Sequence, residues 1–306
     1  MMQSLAAAVS GLQGEQTAMN VIAENIANVN TTGFKGSDVN FATLLSQQLS
    51  SGSAPTKSSG GTDPMEIGLG TSVGSITTNM SEGPLQETSN PLDIAIEGNG
   101  FLTLSGSQGV VYSRDGALGL DANGNLVQAS SGAIVEGWTP AGGPTTNLTW
   151  TESSTTPAPT STTPGPLNIP GTYTPSGGSA EQLSGVAISP DGIVVATYEG
   201  SGGASTQVVV GQIALAVFPN PSGLVAVGQN AYTPGPNALA SGGTGVPFAQ
   251  PGSNGAGALA VGALEQSNVD ISTELTNMIV AERTYEVDAK VITSSDNMLQ
   301  ALIQIQ

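Results

Sequence analysis

The chain contains no cysteine and no histidine among its 306 residues. The absence of cysteine excludes disulfides and thiolate chemistry, and the absence of both residues excludes the usual zinc sites and histidine-based proton transfer. A serine nucleophile would then need a lysine base, but the sequence has no SxxK pattern, and it has no GxxxxGK[ST] phosphate loop. We therefore expect the protein not to be an enzyme, and to use no metal and no cofactor.

Positive charge is scarce, because five Lys and Arg stand against 23 Asp and Glu and give a formal net charge of −18. Lys and Arg drive binding to nucleic acid and to anionic membrane surfaces. No apolar run approaches the roughly 18 residues that span a bilayer. We therefore expect no nucleic-acid binding and no membrane insertion. The first residues, MMQSLAAAVSG, lack the basic segment of a secretory signal, and we expect them to be mature structure.

Aromatic residues make up only 4% of the chain, which contains 42 Gly and 19 Pro. This composition favours short strands with many turns, and an alternation of apolar and polar residues predicts strands within 65–138 and 183–250. Asp115-Gly116, Asn123-Gly124 and Asp191-Gly192 are hairpin signals. The stretch that starts at Asp121 resembles the opening of an EF-hand loop, but its Gly is fourth rather than sixth, so we predict a turn.

Three segments lack clear periodicity. Residues 139–182 are rich in Pro, Thr and Ser, with isolated hydrophobes such as Trp150 and Tyr173, and we expect an insertion that is extended or partly disordered. Residues 36–64 are predicted to be a linker or arm that contains a further short helix or extended segment. Residues 251–261 are predicted to be a second linker.

Both ends of the chain carry helical periodicity. Residues 262–306 contain neither Gly nor Pro after Gly262, and their apolar residues recur at steps of four and three, which is typical of an amphipathic helix. Residues 3–28 follow the same alternation, and that helix should end near Val29. A second apolar row lies beside the first on the C-terminal helix, so this helix needs more than one partner. The N-terminal row is Leu5, Val9, Leu12, Met19 and Ile26; the first C-terminal row is Leu275, Met278, Tyr285, Ile292 and Leu299; the second is Val280, Val287, Val291 and Met298.

The predicted fold class is therefore α+β. The N- and C-terminal helices are expected to form a discontinuous, coiled-coil-like domain from residues 1–35 and 262–306. Residues 65–138 and 183–250 are expected to form a mostly antiparallel β-rich central domain.

Three segments of the chain carry recognisable motifs: NVIAENIANVNTTGFKG from Asn20, LDIAIEGNGF with the following YSRDGALGLDANGNLV, and GALEQSNVDISTELTNMIVAERTYEVDAKVITSSDNMLQ near the C-terminus. Taken together, these segments resemble the bacterial flagellar axial proteins, which comprise hook and rod subunits. The chain departs from the family pattern at Glu24 and Asp288, where Asn is common. The positions that carry the resemblance are Asn25, Asn28, Thr32, Gly33, Phe34, Lys35, Gly98, Gly100, Phe101, Arg114, Asp115, Gly116, Ser267, Asn268 and Val269.

The resemblance implies a homo-oligomeric helical tube that forms part of the flagellum, in the hook or the basal body. It also implies export from the cell through the flagellar type III apparatus, with adjacent axial proteins, junction proteins and a hook cap as partners. Two further segments, VGQIALAVFPNPSGLVAVGQNAY and GALEQSNVD, look most similar to the hook subunit, and the distal rod subunit is the alternative. Hook subunits usually carry a larger outer domain where this chain has only residues 139–182.

We hypothesise that the N-terminal row packs with the first C-terminal row, and that the second C-terminal row contacts the neighbouring subunit. Together these three rows are the predicted self-assembly interface, and a contact of this kind that does not close produces a filament. Two alternatives remain open from the residues themselves: an ordinary intramolecular helical hairpin, and a secreted β-rich adhesin or binding module that is a stable monomer.

Overall fold

The computed structural model describes residues 2–56, 60–106, 109–140, 164–175, 179–200, 205–239 and 245–304. They form two compact units, each assembled from separate chain segments. The helical unit comprises Met1–Val29, Gly36–Asn79 and Val269–Gln306, and the β unit comprises Asn30–Lys35 and Met80–Asn268.

These boundaries differ from the expected ones because long-range pairing decides them. Residues 36–79, expected to be a linker followed by part of the β domain, belong with the helices. Conversely, residues 30–35 and 251–268 belong to the β unit. Local periodicity could not indicate either assignment.

The helical unit contains one helix from each end of the chain, as predicted. Helix α1 spans Met2–Ala27 and α2 spans Ile271–Gln304. Asp270 caps α2, since its carboxylate accepts hydrogen bonds from the Ser272 amide at 2.9 Å and the Thr273 hydroxyl at 3.2 Å. These hydrogen bonds, above all that from the Ser272 amide, hold the pKa of Asp270 below its ordinary value. In the part of the chain that the structure describes, no helix is long and apolar enough to cross a membrane.

Four strands complete the helical unit: two lie within residues 36–64, where a short helix or an extended segment was expected, and two lie within 65–78, which was predicted to form strands. They are β1 (Ser37–Thr43), β2 (Ser46–Ser50), β3 (Met65–Gly68) and β4 (Thr71–Thr78). Strand β1 pairs antiparallel with β4, and β2 with β3. Residues 36–64 therefore contain extended strands, β1 and β2, and the alternative of a short helix in this segment is wrong.

The β unit is built from antiparallel pairs, which confirms the predicted β-rich centre. The strands are β5 (Leu85–Glu87), β6 (Ile94–Glu97), β7 (Phe101–Gly106), β8 (Gly109–Ser113), β9 (Leu118–Leu120), β10 (Leu126–Gln128), β11 (Ile134–Trp138), β12 (Gly165–Pro166), β13 (Thr172–Tyr173), β14 (Glu181–Ile188), β15 (Ile193–Glu199), β16 (Ser205–Ile213), β17 (Leu215–Ala216), β18 (Leu224–Gly228), β19 (Ala231–Pro234), β20 (Phe248–Ala249), β21 (Ala258–Val261) and β22 (Ala263–Glu265). The central sheet has the order β13-β14-β15-β16-β11-β7-β8-β19-β18, and further short strands join β7 and β11. Outside this sheet, β5 pairs with β22 and β6 with β21.

Two of the three predicted hairpins form. Asn123-Gly124 joins β9 to β10, where the Asp121 carboxylate accepts the amides of Asn123 and Asn125 and closes the predicted turn. Asp191-Gly192 joins β14 to β15. The hairpin predicted at Asp115-Gly116 is wrong, because β8 pairs with β7 and β19 whereas β9 pairs with β10.

Part of the segment that was expected to be an insertion, residues 139–182, belongs to the hydrophobic core of the β unit. Leu167 and Ile169 are fully buried among the central strands, and β12 and β13 pair with β11 and β14. Tyr173 packs against this core. The predicted lack of core is thus wrong for residues 164–173, while Trp150 and the rest of 141–163 lie outside the described residues.

Candidate assembly interface and buried clasp

Helices α1 and α2 pack through faces composed largely of small residues. Ala8 and Ala18 of α1 are buried, as are Ala281 and Ser295 of α2. Gly11 presents no side chain, and the Asp288 carboxylate occupies the space that a β-carbon there would need. Small residues allow two helix axes to approach closely. The contact face is therefore rotated away from the rows of large apolar residues that the sequence emphasised.

The structure distributes the predicted interface over two environments. Leu5 lines one cavity with Ile292 and Leu299, which brings these three predicted residues together. The residues that are half-buried are Leu5, Leu12, Met19, Ile26, Met278 and Ile292. The residues that are exposed are Val9, Leu275, Val280, Tyr285, Val287, Val291, Met298 and Leu299.

All four residues of the second row of α2 are therefore exposed in the single chain, although Val280 and Val291 also line depressions beside α1. Val280 and Val287 are 59% and 57% exposed. The predicted interface did not include further exposed apolar residues, which are Ile271, Ile279 and Ile303 of α2 and Leu45, Leu49, Met65 and Ile67 on or beside β2 and β3. Among the described residues, all but four of the exposed large hydrophobic side chains belong to the helical unit. Apolar surface of this extent is typical of a protein–protein interface.

An unmatched pair of acids lies where the two helices meet. Glu15 of α1 and Asp288 of α2 line one depression with Ala8, Gly11 and Phe41. The nearby cations of α2, Arg283 and Lys290, both bind Glu286 on the exposed side of the helix. Burial, reinforced by the Asp288 charge, raises the pKa of Glu15 above its ordinary value of 4.5.

Replacing Glu15 with Gln should stabilise the helical unit at neutral pH. Because the folded-state pKa is raised, the folded chain binds more protons than the unfolded chain, and wild-type stability falls as the pH rises through that pKa. The stabilisation should therefore be greatest at pH 7 and should disappear near pH 4. Urea unfolding of dilute monomer, followed by helical circular dichroism, measures this difference.

Glu24→Gln is the matched control, because Glu24 lies exposed on the same helix. It should unfold like the wild type at both pH values. Equal midpoints for Glu15→Gln and wild type at pH 7 would contradict the role assigned to Glu15.

Two of the signature asparagines, Asn25 and Asn28, lie in the helical unit. Asn25 is buried, and its side chain bonds both backbone groups of Ser37: it accepts from the amide at 3.0 Å and donates to the carbonyl at 2.9 Å. It also donates to Glu274 of α2 at 2.9 Å. Asn28 donates to the Glu24 carbonyl and closes the last turn of α1. Val269, half-buried, precedes the cap of α2.

A second cluster lies within the β unit, where the three signature segments meet around one carboxylate. We call it the clasp and define it as Lys35, Arg114 and Glu265. Glu265 is fully buried and accepts hydrogen bonds from Lys35 Nζ at 2.5 Å, Arg114 Nη1 at 3.3 Å and the Gly83 amide at 2.9 Å. The Glu265 carbonyl accepts the Gly33 amide at 2.8 Å. The clasp thus joins the N-terminal signature, the middle signature and the C-terminal signature.

Both cations of the clasp are removed from water. Lys35 also donates to the Ser81 carbonyl at 2.7 Å, and Arg114 donates to the Gly98 carbonyl at 2.7 Å while its guanidinium lies 5.3 Å from the centre of the Phe101 ring. Burial lowers the pKa of Lys35 below its ordinary value of 10.5, and the hydrogen bond to Glu265 opposes that shift. Since a buried charge is tolerated only when it is paired, Glu265 is the group that allows both cations to be buried.

The remaining signature residues surround the clasp. Thr32 donates to the Asp115 carboxylate at 3.0 Å, and Asn230 donates to the Thr32 carbonyl at 2.6 Å. Gly33 has a φ of +67°, which favours glycine, and a β-carbon on Gly116 would collide with the Ile94 carbonyl. Asn268 donates to Ser81, and Gly100, Phe101 and Ser267 are buried, while Phe34 is half-buried.

Sequence reasoning missed Glu265 as a site residue, although it stands inside the quoted C-terminal motif. A signal was available, because four of only five basic residues lie in the signature segments, and any of them that is buried must be neutralised. Asn230 and Ser81 carried no comparable signal. Asn230 acts through its side-chain amide, and Ser81 binds Lys35 through its backbone carbonyl. Such groups occur throughout any sequence and do not mark a site.

Comparison with known proteins matches three regions of the chain. Residues 5–35 match the flagella basal body rod protein family, residues 95–196 the flagellar hook protein FlgE/F/G D1 domain, and residues 260–305 the flagellar basal body rod FlgEFG protein C-terminal region. The flagellar basal-body rod protein FlgG of Bacillus subtilis (strain 168) is 36% identical over 307 residues, which cover 100% of both chains. FlgG of Caulobacter vibrioides is 32% identical over 308 residues, again 100% of both. The flagellar hook protein FlgE of Treponema pallidum is 47% identical over 138 residues, which are 45% of this chain and 30% of that protein.

Paired terminal helices with apolar outer faces, joined to a β-rich centre, define a structural protein of the axial type. The chain belongs to the FlgE/F/G family of flagellar rod and hook proteins. It is thus an axial structural protein of the bacterial flagellum, where such proteins polymerise in the basal body or the hook. Membership confirms the predicted resemblance and the prediction that the chain is not an enzyme.

Proposed function

We propose that this chain is a distal rod subunit of the flagellar basal body. The observation that carries the proposal is the end-to-end match to rod proteins named FlgG, over 307 residues and 100% of both chains for the relative from Bacillus subtilis. The hook protein from Treponema pallidum matches over only 30% of its own length. The match to that hook protein leaves 55% of this chain unaligned, whereas the match to the rod protein leaves none.

The hook subunit, which the sequence favoured, is the second candidate. One observation supports it: over the 138 matched residues the identity to the Treponema pallidum hook protein is 47%, against 36% for the full-length rod relative. That match covers only 45% of this chain, so its higher identity distinguishes rod from hook less sharply than the extent of the match does.

The proposed mechanism is polymerisation into a helical tube through the helical unit. The exposed second row of α2, represented by Val280 and Val287, would be covered by a neighbouring copy, because such a surface is unfavourable in water and a non-closing contact extends indefinitely. Export through the flagellar type III apparatus, contacts with adjacent axial and junction proteins, and an interaction with a hook cap are parts of the same proposal. The acidic excess, −18 over the chain, keeps free subunits apart until they are incorporated.

Deleting the gene in its own bacterium tests the choice between rod and hook. Basal bodies purified from the deletion strain should end within the rod and carry no hook, because the distal rod must precede the hook. A plasmid copy of the wild-type gene should restore both structures in electron micrographs. Complete rods that lack only the hook would overturn the rod proposal and favour the hook subunit.

A further inference from the structure

The surface of α2 carries two exposed cations in a chain where positive charge is scarce. Of the four basic residues that the structure describes, Lys35 and Arg114 are buried, whereas the side chains of Arg283 and Lys290 are 76% and 70% exposed. Both exposed cations bind one carboxylate, that of Glu286, at 3.1 and 2.9 Å. One carboxylate balances only one of the two cations, so the three residues together carry a net positive charge.

The two cations differ in their neighbours on the helix surface. Residues three and four positions apart lie side by side on a helix. For Arg283 these neighbours include the exposed Ile279, Val280 and Val287, whereas for Lys290 they include one exposed large apolar residue, Val287. A surface that covers the second row of α2 therefore removes Arg283 from water and leaves Lys290 at its edge. Because a buried charge is tolerated only when it is paired, the guanidinium then needs an anion from the covering surface.

The depression between α1 and α2 has the opposite charge. Its lining includes the carboxylates of Glu15 and Asp288, the apolar side chains of Ala8, Phe41 and Val291, and, among the described residues, no cation. Partial burial and the Asp288 charge both raise the pKa of Glu15. Within one subunit the two carboxylates are thus unfavourable together. A guanidinium would neutralise them, and its planar fork of donors is suited to binding carboxylates.

We propose that Arg283 of one copy enters the Glu15–Asp288 depression of the next copy, and that this ion pair fixes where each subunit sits on its neighbour. The inference rests on the polymerisation proposed above and identifies the surface that covers the second row of α2. Opposite charges on the two faces, each surrounded by exposed apolar side chains, select a second copy as the occupant. The two faces differ, so the contact is heterologous and repeats without closing.

Reversing the two charges tests this contact in the full chain. Arg283→Glu brings a carboxylate to the acids of the neighbour, and Glu15→Arg brings a cation to the Arg283 of the neighbour. Each should raise the critical concentration for assembly at least about 30-fold. The double variant restores opposite charges between copies and should recover at least about tenfold of that loss. Sedimentation over a concentration series measures these values, and electron microscopy shows whether the polymers are tubes.

Lys290→Glu is the matched control for Arg283→Glu, because it makes the same charge change on the same helix beside the same carboxylate, Glu286. It should change the critical concentration less than about fivefold, and Glu15→Arg should not rescue it. A double variant of Arg283 and Glu15 that assembles no better than the weaker single variant would overturn the proposal. A wild-type chain that forms no tubes would refute the proposed polymerisation as well, so the two failures are distinguishable.

Cross-linking gives a second measurement that uses no reversed charge. The chain has no cysteine, so Glu15→Cys with Arg283→Cys places one thiol on each proposed face and removes both partners of the ion pair together. Treating the assembled tubes with a short bismaleimide should give a ladder of covalent dimers, trimers and longer oligomers on a denaturing gel. Glu15→Cys with Lys290→Cys is the control, and a ladder no stronger than that of the control would contradict the contact.

Discussion

Replacing Val287 with Asp should leave the monomer folded and abolish its polymerisation. The side chain is 57% exposed in the single chain and lies in the second row of α2, so the charge costs little before assembly. In the tube the same carboxylate would be buried against an apolar neighbour without a partner. The penalty for such a charge is at least about 3 kcal/mol, which raises the critical concentration for assembly more than about 100-fold. Sedimentation and electron microscopy over a concentration series measure the change.

Thr293→Asp provides the matched control for this variant. Thr293 is exposed on the same helix, about 120° around its axis from Val287, so it adds an identical charge outside the second row. It should polymerise at nearly the wild-type concentration. Loss of assembly in both variants would show that charge alone is responsible, and normal tubes of Val287→Asp would refute the assignment of the second row to the subunit interface.

The sequence was sufficient where short-range physics determines the structure. A stretch without Gly or Pro, with apolar residues at helical spacing, becomes α2, and the same pattern at the other end becomes α1. Asn123-Gly124 forms its hairpin because the conformation is local. Elements of this kind need no knowledge of the rest of the chain.

Prediction from the sequence failed where contacts between residues far apart in the chain determine the structure. The packing face of the helices uses Ala8, Ala18 and Ala281, and small residues carry little weight in a search for large apolar side chains. Leu167 and Ile169 lie in the segment that was expected to be an insertion, yet the sheet brings them into its core. The ion pair of the clasp joins Lys35 to Glu265, residues 230 positions apart, and no local pattern encodes such a pair.

Glu265, the carboxylate of the clasp, should be among the positions of the β unit where substitution lowers the free energy of unfolding most. Glu265→Ala leaves Lys35 and Arg114 buried without a counter-ion and removes the acceptor of the Gly83 amide. Breaking a buried ion pair by removing one partner typically costs about 3–5 kcal/mol, a large fraction of the stability of a domain. Urea unfolding of the full chain, followed by near-UV circular dichroism, should show a correspondingly lower midpoint for the β unit.

Two comparisons separate the loss of a partner from the loss of a side chain. Glu286→Ala removes a carboxylate that also binds two cations, Arg283 and Lys290, but on the exposed surface of α2, so it should not change the midpoint of the β unit. Adding Lys35→Met to Glu265→Ala removes one of the two cations left without a counter-ion. The double variant should therefore lose less free energy of unfolding than the two single variants lose in sum. Strict additivity, or a Glu265→Ala midpoint equal to that of Glu286→Ala, would show that the buried pair does not hold the three signature segments together.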